Sequence, residues 1–136
     1  MGHGITNLYI NQLMKKISTS YRRTFSCNKI PYFSDQNFSI IINLSKDNEQ
    51  GTHLISLFFL KANFFYFDSY GLKYNNIYIS KYLAKYSKRI VYWKKPLQHI
   101  LSDHCGFYCI LFILFIENNN SLEGFLSLFK RKNIFK

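Results

Sequence analysis

Twelve consecutive residues from Cys105 to Ile116, Cys-Gly-Phe-Tyr-Cys-Ile-Leu-Phe-Ile-Leu-Phe-Ile, carry no charge. Such a run is longer than the usual strand of about 5–6 residues and shorter than the ~20 apolar residues a helix needs to span a bilayer. It reads as a helix buried in a core, with Ser102 and Asp103 placed ahead of it as caps. A helix of this kind needs apolar elements around it. Phe38 to Leu44, Leu54 to Leu60 and Phe64 to Phe67 supply them, as short runs of β-branched and aromatic residues with the signature of strands. The polar stretch Ser45 to Gly51 joins the first two as a hairpin loop, and Lys61-Ala62-Asn63 joins the next two as a tighter turn. Three strands so connected form an antiparallel meander.

Apolar residues at Leu8, Leu13, Met14 and Ile17 predict a first helix over Asn7 to Ile17 with Thr6 as its cap, followed by a basic, turn-rich stretch. Ile77 to Tyr86 predicts a second helix, and Arg89 to Trp93 a fourth strand that Pro96 ends. After the buried run, Asn118-Asn119-Asn120 stops the helix, and Ser121 can cap a last amphipathic helix through Phe129. No repeat or linker divides the 136 residues, so residues 1–136 are expected to form one α+β domain. A hydrophobic content of 48% excludes the composition of a disordered chain.

Eighteen Lys and Arg against seven Asp and Glu give a formal charge of +11, a field that attracts polyanions. The basic residues fall in scattered clusters, Lys15-Lys16, Arg22-Arg23, Lys94-Lys95 and Lys130-Arg131-Lys132, and a chain rich in Lys, Asn, Ile, Phe and Tyr would also arise from AT-rich coding. Three cysteines, Cys27, Cys105 and Cys109, are an odd number with no secretory signal, which argues for free thiols and an intracellular setting. The opening Met1-Gly2-His3-Gly4-Ile5-Thr6 fits the loose myristoylation pattern, with no companion lipid signal.

Four places carry groups that cysteine chemistry needs: a thiolate, a base, a group that orients the base, and donors for an oxyanion. Cys105 stands where the buried helix begins, and a helix N-terminus offers unpaired N–H groups and positive potential that stabilise a thiolate. His53, in Gly51-Thr52-His53, enters one strand, and Asp68 closes the next. Antiparallel pairing through Lys61 to Asn63 makes their side chains neighbours, with the aspartate accepting from Nδ1 of the imidazole. Gln98 precedes Cys105 by seven residues and can aim its amide at the oxyanion position beside the Cys105 N–H.

The succession Gly51-Thr52-His53, Phe67-Asp68-Ser69-Tyr70-Gly71, Gln98 and Ser102-Asp103-His104-Cys105-Gly106-Phe107-Tyr108-Cys109 resembles the adenovirus protease family, whose relatives are encoded by Polinton/Maverick elements and virophages. Ile5-Thr6-Asn7 and the segment from Tyr21-Arg22-Arg23-Thr24-Phe25 to Pro31 are similar to the N-terminal helix and substrate-side segment of that family, so the resemblance runs from about Thr6 to Ile116. Related motifs occur in ubiquitin-like-protein proteases. The resemblance implies a papain-related cysteine protease domain of the adenain type, with a central antiparallel sheet and the nucleophile on the N-terminus of a buried helix. It assigns His53 as base, Asp68 as third member, Gln98 as oxyanion glutamine and Cys105 as nucleophile. It further implies cleavage after small, Gly-type residues in capsid precursors or ubiquitin-like tails, no obligatory cofactor, activation by DNA and a basic peptide, a monomeric state, and a place in the host nucleus or virion. Two features depart from the family: Leu54 stands where a Trp usually follows the histidine, and a single predicted helix follows the nucleophile helix.

Other readings use the same residues. His99, His104, Cys105 and Cys109 are a zinc-type donor set, but no Cys-x2-Cys pair exists. A basic nucleic-acid-binding module would stack its Tyr and Phe on bases, whereas Leu57-Phe58-Phe59-Leu60 and Asn63-Phe64-Phe65-Tyr66-Phe67 read as core. A protease-fold protein without catalysis is the third reading.

Overall fold

The computed structural model describes residues 7–45, 53–61, 63–73, 75–86, 89–97, 105–119 and 124. In chain order the elements are α1 (Asn7–Ile17), β1 (Tyr21–Ser26), β2 (Asn37–Asn43), β3 (Leu54–Leu60), β4 (Asn63–Phe67), α2 (Ile77–Tyr86), β5 (Arg89–Tyr92) and α3 (Cys105–Asn119). The strands form a five-stranded sheet in the order β1-β2-β3-β4-β5. The helix predicted over Ser121 to Phe129 and the caps Thr6, Ser102 and Asp103 lie outside the described residues, Gly124 apart.

The sheet is covered on both faces, which explains why its strands read as nearly continuous apolar runs. Along β2, Ile41 joins one core while Phe38, Ile40 and Ile42 join the other, and along β3 Leu54 and Phe58 alternate with Ile55, Leu57 and Phe59 in the same way. The first core is closed by Ile10 and Met14 of α1 and by Cys109, Phe112, Ile113 and Ile116 of α3. The second is closed by Ile79, Tyr82 and Leu83 of α2. The aromatic runs of β3 and β4 are core: Phe58, Phe59, Phe64, Tyr66 and Phe67 are all buried.

The expected meander is present as β2, β3 and β4, with Asn43 opposite Leu54 and Ser56 opposite Phe67. The sheet is nevertheless mixed rather than antiparallel throughout, because β1 pairs parallel with β2 and β5 parallel with β4. Parallel neighbours need a crossover, and α2 is the crossover between β4 and β5, so the helix that covers the second face also fixes the direction of the last strand. Strand β1 falls in the stretch read as basic and turn-rich. Its register shifts between Tyr21 and Thr24, so these two buried residues stand three apart and the period of two that marks a strand is broken.

Glu117 ties the start of β1 to the end of α3. Its carboxylate accepts from the Ser18 hydroxyl at 2.6 Å, the Ser20 hydroxyl, and the backbone N–H groups of Thr19 and Ser20 at 3.3 and 3.2 Å. Partial burial works to raise its pKa, but these donors outweigh it and hold the carboxyl below the ordinary glutamate value.

Candidate active site

The end of the β3–β4 hairpin gathers the site. His53 stands just before β3, and its Nε2 lies 2.9 Å from Oδ1 of Asp68, the residue that follows β4. The same Oδ1 accepts the backbone N–H of Tyr70 at 2.8 Å, which holds the carboxylate in a tight turn. Sequence reasoning placed the aspartate on Nδ1; the bond is to Nε2 instead, because His53 approaches the carboxylate through the far edge of its ring. Nδ1 is buried and has no partner in hydrogen-bond geometry among the described residues.

Cys105 is the first residue of α3 and is 7% exposed. Its placement follows from an unfinished ladder. The His53 carbonyl accepts the Leu44 N–H at 2.9 Å on the β2 side, so the polar groups of Leu54 point toward β4, which ends at Phe67 two residues short of facing them. Buried backbone groups need partners, and the two thiols of α3 provide them. The Leu54 N–H donates to Cys105 Sγ at 3.3 Å, and Cys109 Sγ donates to the Leu54 carbonyl at 3.4 Å. The residue after His53 is thereby fixed to the first turn of the helix, and Cys105 is brought to the imidazole.

Burial alone would lower the pKa of His53. The hydrogen bond to Asp68, the interaction with the Cys105 thiol and the charges of both groups outweigh that loss and raise it to about 9. Cys109 is wholly buried, and burial pushes its thiol well up, which leaves it unreactive. Cys27, also buried, lies in the other core with its Sγ 3.3 Å from the Leu44 carbonyl.

Gln98 lies outside the described residues, as do His99 and His104. Its approach is described up to Leu97, whose N–H donates to the Ser69 carbonyl at 2.7 Å. Gly71, at a φ of +75°, packs so closely on this segment that a Cβ there would come within 2.7 Å of the Pro96 nitrogen. The turn that carries Asp68 therefore also anchors the chain leading to Gln98.

Leu54 is buried in the first core, and the aromatic neighbour of His53 is Tyr70, whose ring stacks on the imidazole at 4.4 Å between centroids and 4° between planes. Sequence reasoning missed this residue. The signal was present in the register: residue numbers that pair across β3 and β4, such as Ser56 with Phe67, continue to His53 opposite Tyr70.

Among the described residues no group of three His, Cys, Asp or Glu could hold a metal, and no helix is long and apolar enough to cross a membrane.

The mixed α+β architecture is one shared with solved structures of a protease. The crystal structure of the ASFV pS273R protease matches with a TM-score of 0.65 at 14% identity, covering 90% of this chain and 60% of that one. The crystal structure of its selenomethionine form matches with a TM-score of 0.54 at 17% identity, covering 90% and 61%. The chain thus spans about three fifths of the length of the proteases whose fold it shares. No family model matches it, and no curated protein matches it in sequence.

Proposed function

We propose that this chain is a cysteine endopeptidase of the adenovirus-protease type, with Cys105 as nucleophile, His53 as general acid and base, Asp68 as the carboxylate that orients it and Gln98 as an oxyanion donor. The observation that carries the reading is the imidazole of His53, held by Asp68 through Nε2 and interacting with the thiol of Cys105 at the head of α3. The protease fold of the solved neighbours supports it.

In this mechanism the thiol proton of Cys105 passes to His53, and the resulting thiolate attacks the scissile carbonyl carbon, forming a C–S bond and an oxyanion that the Cys105 N–H and the Gln98 amide stabilise. His53, protonated at neutral pH, gives its proton to the departing amine nitrogen as the C–N bond breaks. Water then attacks the thioester carbonyl, His53 takes one of its protons, and the C–S bond breaks to release the acid. Cleavage follows small, Gly-type residues in protein substrates, in capsid precursors of a virus or mobile element or in ubiquitin-like tails, and DNA with a basic peptide raises the rate. Incubation with precursors of both kinds, followed by mass spectrometry of new termini, tests the reading. New termini after Gly that vanish with Cys105→Ala support it; intact precursors under all conditions, with and without DNA and basic peptide, overturn it.

A further inference from the structure

The ring of Tyr70 lies flat on the His53 imidazole, and nothing in the proposed chemistry yet uses it. Tyr70 is held where it is by three connections independent of the ring stack: its N–H on Asp68 Oδ1, the Gly71 N–H on the Asp68 carbonyl at 2.7 Å, and the Leu97 N–H on the carbonyl of Ser69. The tyrosine therefore sits on a rigid turn, and the imidazole rests against it. Two consequences follow from elementary chemistry. A flat aromatic surface 4.4 Å from the imidazole leaves the ring one plane in which to lie, the plane in which Nε2 meets Asp68. The negative face of a phenol ring also favours a cation lying over it, so the stack stabilises the imidazolium more than the neutral ring.

We propose that Tyr70 is a positioning residue for the His53–Cys105 pair, fixing the plane of the imidazole and favouring its protonated form. The proposal rests on the protease reading for its kinetic consequences, while the His53–Tyr70 relationship itself can be read without any substrate. Asp68 on Nε2, Cys105 beside the ring and Tyr70 on its face are the titratable groups that meet the imidazole among the described residues. Of these three, Tyr70 is the one that acts through the face of the ring, so its contribution separates from the others by substitution. It also supplies an aromatic surface beside a histidine whose following residue is Leu54.

The test is an NMR titration of His53 in the full chain and in Tyr70→Ala and Tyr70→Phe variants, together with kcat and KM on a cleaved peptide. Tyr70→Ala should lower the His53 pKa by about one unit, the size expected of a lost cation–aromatic contact. It should also lower kcat roughly 10- to 100-fold with little change in KM, and Tyr70→Phe should restore both. If Tyr70→Ala does not fold, Tyr70→Leu, which keeps apolar bulk without an aromatic face, is read in its place. An unchanged His53 titration in the Ala or Leu variant, or a Phe variant that behaves like it, overturns the proposal. Failure of the protease reading shows separately, as absence of peptide cleavage by the unaltered chain while the His53 titration still responds to Tyr70.

Discussion

The Nε2 of His53 and Oδ1 of Asp68 lie 2.9 Å apart across the open end of a hairpin, where neither residue belongs to a strand. The hairpin sets the distance. The ladder stops at Ser56 and Phe67, and the ring and the carboxylate meet just beyond its end.

The charge on that carboxylate is one of the contributions that raise the imidazole to about 9, so the protonated ring needed to serve the leaving amine persists to that pH. Activity should fall as pH rises through about 9. Asp68→Asn, which keeps an acceptor oxygen and removes the charge, should move this alkaline limb to lower pH. Asp68→Ala, which also frees the ring, should lower kcat/KM by roughly 10²- to 10⁴-fold. A pH profile of kcat/KM for the three proteins checks both statements. An alkaline limb that stays in place in Asp68→Asn contradicts the electrostatic role.

Gly71 joins the two halves of the site through a contact only glycine permits. Alanine there would meet the Pro96 nitrogen at 2.7 Å and the Lys95 carbonyl carbon at 2.8 Å, both backbone atoms, and would have to hold a φ of +75°. Gly71→Ala should cost roughly 1–3 kcal/mol of stability. It should also reduce kcat more than KM, since the segment displaced leads to Gln98. Urea unfolding and steady-state kinetics measure the two effects, and a variant with wild-type values for both would show that the contact yields freely.

Much of this could be read in the sequence, and what could not has physical reasons. The three central strands were legible because β-branched and aromatic runs bounded by polar turns admit few other structures, and Cys105 was placed at the head of a helix by the apolar run that follows it. Strand β1 was hidden by its irregular register and two arginines, Arg22 and Arg23. The parallel edges were hidden because strand direction is set by where α2 crosses, which local patterns do not encode. Which nitrogen of His53 meets Asp68 depends on the torsions of one side chain, beyond the reach of spacing. The Glu117 anchor joins residues 97 to 99 positions apart and left no local signal.

That anchor makes its own prediction. The carboxyl of Glu117 is held below its ordinary value, so its stabilising contribution is fully present above the ordinary glutamate range and is lost as pH falls through the lower, folded-state value. Glu117→Gln should remove roughly 1–2 kcal/mol at neutral pH, the loss expected when a charged acceptor of several hydrogen bonds is neutralised in a half-exposed place. The difference from the unaltered chain should shrink in acid. Thermal unfolding across pH 3 to 7 measures it, and a difference that does not depend on pH would assign the loss to packing instead.

The central claim is that Cys105 is activated by His53, and alkylation tests it most directly because it needs no substrate. With limiting iodoacetamide at pH 7 and mass spectrometry of the cysteine peptides, Cys105 should be modified at least about tenfold faster than Cys27 and Cys109, and His53→Ala should abolish that advantage. Cys105 labelled no faster than the other two, or labelled equally fast in His53→Ala, would contradict the account.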